Sequence, residues 1–315
     1  MTECIPTDLV ARSPLMDRIR ADVRRLGRHG IPVLILGETG SGKERVARTM
    51  HAAGPRRSRR FVAVNCGAID PGTAMSTLFG HERGAFTGAS VKRRGAFREA
   101  HRGTLFLDEI GELTLDLQAA LLRALETREV VPIGGDQPEP VDFRLLAATH
   151  RDLALEVADG RFREDLFYRV AVSIVRVPPL RSRRDDILPL TQEFLREAAP
   201  DRDLRISPSA LRALEAHRWP GNVRELRNAL LRAIVHTDGD LIRRESLALG
   251  GLLGEADDDE DALPVVPPAR PPVERQIGEL IEALERARGN RTLAAMDLGI
   301  ARSTLYARLK RLGLV

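Results

Sequence analysis

IPVLILGETGSGKE, Ile31 to Glu44, is the stretch whose reading decides the fold. Its first six residues form an apolar run of the kind that makes a buried strand, and a helical pattern follows directly. Between them lie Gly37, Glu38, Thr39, Gly40, Ser41, Gly42, Lys43 and Glu44. Glycines at this spacing let backbone N–H groups curl around phosphate oxygens, the helix N-terminus adds positive potential, and Lys43 reaches the β- and γ-phosphates. The plainer alternative, a Gly-rich turn with no ligand, is disfavoured by the strand–loop–helix context. Glu44 stands where a Ser or Thr usually offers a hydroxyl to magnesium, so the metal shell must lean on another residue.

Working outward, FVAVN (61–65), TLFLDE (104–109), FRLLAAT (143–149) and VSIVRV (172–177) also read as buried strands. Helical patterns such as Leu117, Leu121, Leu122 and Leu125 lie between several of them. Alternation of this kind predicts an α/β fold, a parallel sheet covered on both faces. Asp108 and Glu109 end one of these strands, at the ligand-binding edge of such a sheet. There Asp108 would orient hydrated Mg²⁺ and Glu109 would polarise the attacking water. A helix-capping role for the two acids is the alternative, weakened by the Lys43 loop. Arg163 and Arg169, in GRFREDLFYR, offer positive charge for phosphoryl transfer, but their spacing does not align them on one helical face. On their own they read as surface ion-pairing residues.

The 315 residues allow two or three domains, with 43% hydrophobic and 30% charged residues and a net charge of +4. Aromatics are scarce at 4%, so the core must rest on Leu, Val, Ile and Ala. Cys4 and Cys66 lack metal-ligand spacing, which disfavours a disulfide scaffold or a zinc site. No secretory signal or membrane-length apolar run is present, and a cytoplasmic protein is expected. From Asp185 to about Leu249 no strand candidate remains, and apolar residues recur at helical spacing in a small helical subdomain. GEADDDEDALPVVPPARPPVE (254–274) has six acids within Glu255–Asp261 followed by prolines, the composition of an extended linker.

The C-terminal 43 residues read as a separate unit. From Arg286 onward seven Lys and Arg face one acid, Asp297. GNRTLAAMDLGIARSTLYARLKRLGL (289–314) reads as two short helices broken at Gly299. The second exposes Arg302, Ser303, Thr304, Tyr306 and Arg308, with Lys310 and Arg311 at its end, as a recognition helix would. A protein-docking hairpin is the alternative. HERGAFTGAS (81–90) poses a different question, because Phe86 is a lone bulky aromatic among Gly84, Ala85, Gly88 and Ala89. Small neighbours neither hold nor pack an aromatic, so Phe86 is either a poorly supported core residue or a loop tip.

GETGSGKE, LFGHERGAFTGA, GTLFLDEIGEL, FREDLFYR, PPLRSRRDDI and WPGNVREL occur here in the order found in the bacterial enhancer-binding proteins. The chain closely resembles these AAA+ ATPases, which activate sigma-54 RNA polymerase, over residues 8 to 250, with a Fis-type helix-turn-helix at its C-terminus. The resemblance implies an ATP- and Mg²⁺-dependent ring, a hexamer by family habit, that binds enhancer DNA as dimers. It would remodel the closed complex of sigma-54 with the RNA polymerase holoenzyme. Gly84, Ala85, Phe86, Thr87, Gly88 and Ala89 would form the mobile loop that grips sigma-54, with Phe86 and Thr87 at its tip. Asn65 matches the residue that holds the catalytic glutamate aside in some nucleotide states. Thr149 with His150 matches the first sensor, where asparagine is commoner than His150. Arg224 matches the second sensor on the lid, and Arg163 and Arg169 match arginine fingers that reach a neighbouring subunit's nucleotide. Glu44 is the family habit. Thr77 replaces the usual glutamate before LFG, and Pro132 stands where an arginine often precedes IGG.

The expected organisation is a short extension (1–8), an α/β ATPase subdomain (9–180), an α-helical lid (181–250), a linker (251–273) and the helix-turn-helix (274–315). The ATPase module begins almost at the N-terminus, which leads to the expectation of no sensory domain and of control in trans by another protein, or by expression. Two other functions remain open at this point. One is an AAA+ remodeller of another client, and the other is a DNA-binding regulator with a vestigial ATPase.

Overall fold

The computed structural model describes residues 9–249, so Cys4, the linker and the residues read as DNA-facing, Arg302 to Arg311, lie outside the described residues. In chain order the described helices and strands run α1 (Pro14–Gly27), β1 (Val33–Leu36), α2 (Lys43–Ala52), β2 (Phe61–Asn65), α3 (Pro71–Phe79), α4 (Ala96–Glu99) and β3 (Thr104–Asp108). They continue with α5 (Leu115–Thr127), β4 (Glu129–Val130), β5 (Glu139–Pro140), β6 (Arg144–Thr149), α6 (Leu153–Ala158), α7 (Glu164–Val170) and β7 (Ser173–Arg176). The last are α8 (Ile187–Ala198), β8 (Arg205–Ile206), α9 (Pro208–Ala216), α10 (Asn222–Val235) and β9 (Leu241–Ile242).

The main sheet is parallel throughout, in the order β2-β3-β6-β1-β7. Register then places the chemistry. Leu36 at the end of β1 pairs with Thr149 at the end of β6, and Asn65 pairs with Asp108 at the ends of β2 and β3. Four carboxyl ends therefore line one edge, which is where an open α/β sheet binds its ligand.

Each face of the sheet has its own core. α1 and α2 cover one face through Met16, Ile19, Val23, Val46 and Met50, all buried against Val33, Ile35, Phe106 and Leu146. α1 starts where Ser13 caps it, accepting from the Met16 N–H, with Pro14 at the first helical position. The other face buries Leu105, Leu107, Leu121, Leu145 and Leu166 under α3 to α7. Burying a residue of this size contributes about 1.5–3 kcal/mol, so these two layers outweigh any single polar contact in the fold.

The helical subdomain packs around Trp219, fully buried among Leu180, Leu190, Leu214, Leu226 and Leu230. Its indole N–H donates to the Leu214 carbonyl at 2.8 Å, so the ring is buried without leaving its polar atom unpaired. This subdomain is not wholly helical, contrary to the strand-free expectation: β8 and β9 pair in parallel over two residues each. So short a ladder leaves no periodicity to read. The antiparallel β4–β5 pair is equally brief.

Candidate active site

Gly42, in the left-handed region at φ 102°, caps α2 with no side-chain oxygen, so the first N–H groups of the helix have no capping acceptor. Lys43 is buried, and its Nζ lies 2.9 Å from the Gly37 carbonyl oxygen, 3.4 Å from that of Glu38 and 3.2 Å from Glu109 Oε1. The buried Ser41 hydroxyl finds no hydrogen-bond partner among the described residues. Thr39, Gly40, Ser41, Gly42, Lys43, Glu44, Asp108, Glu109 and Arg224 line a cleft of about 360 Å³, whose lining also includes the apolar Leu9, Val10, Leu190 and Phe194. Glu44 itself turns outward to Arg48, one helical turn on, at 2.7 Å.

The two acids at the end of β3 are held differently. Burial, and then the neighbouring charge of Glu109, raise the pKa of Asp108 above the ordinary carboxylate value. Glu109 leaves the strand in a left-handed conformation, φ 52°. Burial alone would raise its pKa, but the His150 hydrogen bond and the Lys43 charge outweigh that and hold it below its usual value. His150 Nδ1 stands 2.7 Å from Glu109 Oε2, and the His150 backbone N–H donates to the same oxygen at 3.2 Å. Cys66 lies buried behind the pair, its thiol pushed up to about 12 by burial and then by the charges of Asp108 and Glu109. That thiol is not a nucleophile.

Several expected site residues stand elsewhere. Asn65 forms no hydrogen bond to Glu109; its Oδ1 accepts from the Gly67 and Ala68 N–H groups at 3.0 and 3.2 Å, capping the short turn after β2. Thr149 is fully buried and accepts from the Arg151 N–H at 3.0 Å, so at this strand end it is His150, not Thr149, that reaches the acid pair. The Glu38 carboxylate turns from the cleft to the helical subdomain, pairing with Arg181 at 2.5 Å and accepting from Asn222 at 3.1 Å. Arg163 pairs with Asp165 at 2.7 Å and Arg169 donates to the Leu125 carbonyl at 3.2 Å. Neither lines the cleft.

Two residues that carry the subdomain onto the loop, and one that ties it to the segment before α1, are not evident in the sequence. Asn222, buried at φ 55°, accepts from the Leu180 N–H at 2.7 Å and donates to the Thr39 carbonyl at 3.1 Å. Buried Arg183 donates to the Ser41 carbonyl at 2.6 Å. Buried Asp186 accepts from Ser13 Oγ at 2.9 Å and from the Arg12 and Ser13 N–H groups. Gly40 permits the closeness: a Cβ there would stand 2.4 Å from the Gly221 carbonyl oxygen. The signal was present as PPLRSRRDDI and WPGN, but a buried Arg inside a charged run looks like its solvated neighbours.

The HERGAFTGAS loop is drawn together at its neck. Its His81 is buried, with Ser76 Oγ 2.6 Å from Nδ1 and the Val91 carbonyl oxygen 2.8 Å from Nε2. The Gly84 N–H donates to the Ala89 carbonyl at 2.8 Å, and Gly84 and Gly88 both have positive φ. Phe86 is 43% exposed and leans edge-on against His81. Thr87 and Gly88 are exposed, whereas Ala89 is buried in the neck and Ala85 is half-buried, so the outward tip is narrower than the six-residue motif.

Residues 9–176 match the family model of the sigma-54 interaction domain, 181–261 that of an AAA+ ATPase lid domain, and 270–312 that of the bacterial regulatory proteins of the Fis family. The chain is 45% identical over 309 residues to the transcriptional regulatory protein ZraR of Klebsiella oxytoca, covering 96% of this chain and 68% of that one. It is 44% identical to the response regulator protein PilR of Pseudomonas aeruginosa, covering 97% and 70%. Among solved structures, NtrX from Brucella abortus in complex with ATP aligns with a TM-score of 0.72 at 35% identity, over 97% of this chain and 70% of that one.

Proposed function

The chain belongs to the sigma-54-dependent transcriptional activators, AAA+ ATPases with a Fis-type DNA-binding domain, and from that premise we propose that it opens sigma-54 promoters by hydrolysing ATP. Bound at enhancer DNA as dimers, it assembles into a homo-oligomeric ring and works on the sigma-54 RNA polymerase holoenzyme through the Gly84–Ala89 loop. The observation that carries this reading is the cleft in which Lys43, Asp108 and Glu109 converge under the lid.

The cleft suits a nucleoside triphosphate. The Ser41 hydroxyl and the uncapped N-terminus of α2 offer donors to phosphate oxygens, and Leu9, Val10, Leu190 and Phe194 offer apolar surface to a base. No group of three or more His, Cys, Asp and Glu among the described residues would cage a metal. That fits Mg²⁺, which is carried largely by phosphates and water with one or two carboxylates, here Asp108. Mg²⁺ supplies neutralisation of the charge developing on the phosphoryl oxygens. When phosphate draws the Lys43 ammonium away, Glu109 loses one of its two side-chain holders and turns to orient and deprotonate the attacking water. Arg224 follows the bound phosphates from the lid. Arg163 and Arg169, outside their own cleft, complete the site of a neighbouring subunit. The domain limits that go with this reading are 9–180, 181–250, 251–273 and 274–315.

The test is promoter opening. Purified protein, sigma-54 polymerase, promoter DNA and ATP are combined, and melted DNA is probed with a single-strand-specific reagent. Melting by the native chain and none by Thr87→Ala is the expected result. Hydrolysis without melting by the native chain would assign the ring to a different client.

A further inference from the structure

Positive charge in this chain is not confined to its C-terminus. At the edge of the main sheet opposite the cleft, the turns entering β1, β2 and β3 read RRLGRHG (24–30), AGPRRSRR (53–60) and HRG (101–103). Together they hold eight arginines, two histidines and no acid. The fold interlocks them into one surface. The Arg60 carbonyl accepts from the Thr104 N–H at 2.9 Å, and Arg56 reaches the Gly103 carbonyl at 3.2 Å. Arg144 donates to the Leu26 and Gly27 carbonyls at 2.8 and 3.0 Å, while its backbone N–H donates to Gly103 at 3.1 Å. The turn entering β6, which stands between β3 and β1, brings Asp142 into this edge, where it pairs with Arg56 at 2.7 Å; Asp22 on α1 pairs with Arg25 at 2.9 Å. Arg24, Arg28, Arg57, Arg59, Arg60 and Arg102 are exposed, and none forms an ion pair among the described residues.

Like charges gathered this closely oppose the compact state, and nothing in the packing requires them. All are arginines, whose planar fork matches phosphate in a bidentate pair. We propose that this edge is a second, sequence-independent contact with the backbone of duplex DNA, separate from the Fis-type reader. The occupant follows from charge complementarity and from the match at 270–312, which brings duplex DNA to the same chain and so raises its effective concentration at this edge. DNA bound at a site of its choosing would thereby be held along the ring as well as at the reader.

The experiment uses the full chain and a fluorescent random duplex, with affinity read by anisotropy between about 50 and 200 mM salt. One variant carries Arg57→Gln, Arg59→Gln, Arg60→Gln and Arg102→Gln. A control of equal charge carries Arg212→Gln, Arg218→Gln, Arg243→Gln and Arg244→Gln, all exposed on the lid. The slope of log affinity against log salt should fall by roughly 3.6 in the first, about 0.9 for each of four lost phosphate contacts, and by less than ~1 in the control. A separate Arg24→Gln, Arg28→Gln pair should lower it by roughly 2. Equal losses in the edge and control variants would reduce the effect to net charge and overturn the proposal. Unchanged slopes in the edge variants would show that these arginines touch no DNA phosphate and overturn it equally. Hydrolysis of ATP is measured in parallel and should be unaltered, so a failure here leaves the proposed activity standing.

Discussion

Glu109 is held from two sides by groups with opposite fates on ligand binding. On the proposed reading Lys43 leaves it for phosphate, whereas His150, from the neighbouring strand end, stays hydrogen-bonded to it. Glu109→Gln should lower the turnover of ATP by about 10²–10⁴-fold, the range for losing a general base, with nucleotide affinity retained. His150→Ala removes a hydrogen bond that depresses the Glu109 pKa. Without it the carboxylate protonates at higher pH, so the acid limb of the turnover–pH profile should move upward. A limb that stays in place in His150→Ala would show that the imidazole does not govern the base. The sequence marks Glu109 by its strand end and Lys43 by its loop, yet their contact joins residues 66 apart in the chain, and no local pattern encodes it. Asn65 is the converse case: the motif position is legible, but the cap it forms depends on how the chain turns after β2.

Among the elements, the lid meets the phosphate loop through a small polar joint, Glu38 with Arg181 and Asn222. The hydrogen bond from Arg181 is the main cause that brings the Glu38 pKa from 4.5 to about 2. A depressed carboxylate stabilises the fold above its unfolded pKa and loses that contribution as pH falls. Thermal unfolding of Glu38→Gln should therefore differ from the native chain above pH 4.5, and the two should converge as pH approaches 2. Because the pair is exposed, the difference should be no more than ~1 kcal/mol. The five main strands were legible as apolar runs within one or two residues of their ends; β1, β3 and β6 are buried along nearly their whole length, whereas the edge strands β2 and β7 are mostly half-buried or exposed, less covered than their apolar runs suggest. The two-residue ladders were not, because period-2 alternation needs more length than β8 or β9 possesses. Asn222 and Arg183 were hidden for another reason: burial of a polar side chain is decided by partners distant in the sequence.

For the molecule as a whole, Arg163 and Arg169 are engaged at home, one with Asp165 and the other with a carbonyl oxygen, away from their own cleft. Specific ATPase activity should therefore rise with protein concentration, and Arg169→Ala should abolish hydrolysis at every concentration while fluorescent ATP still binds. Constant specific activity across the assembly range would remove the trans assignment. Among the described residues no helix is long and apolar enough to cross a membrane. The charge distribution was only half visible in the sequence. The basic C-terminus is one continuous stretch, whereas the edge arginines come from three turns that only the parallel sheet brings to one edge.

The strand order carries a consequence for biosynthesis. β6 lies between β1 and β3, so Leu36, just before the phosphate loop, waits for a partner, Thr149, made more than a hundred residues later. A nascent chain emerging from the ribosome thus exposes β1 before either neighbour, β6 or β7, exists. Non-local pairing of this kind is slow and aggregation-exposed. Translation interrupted before Arg144 leaves the phosphate loop at the end of a strand that has neither of its sheet neighbours.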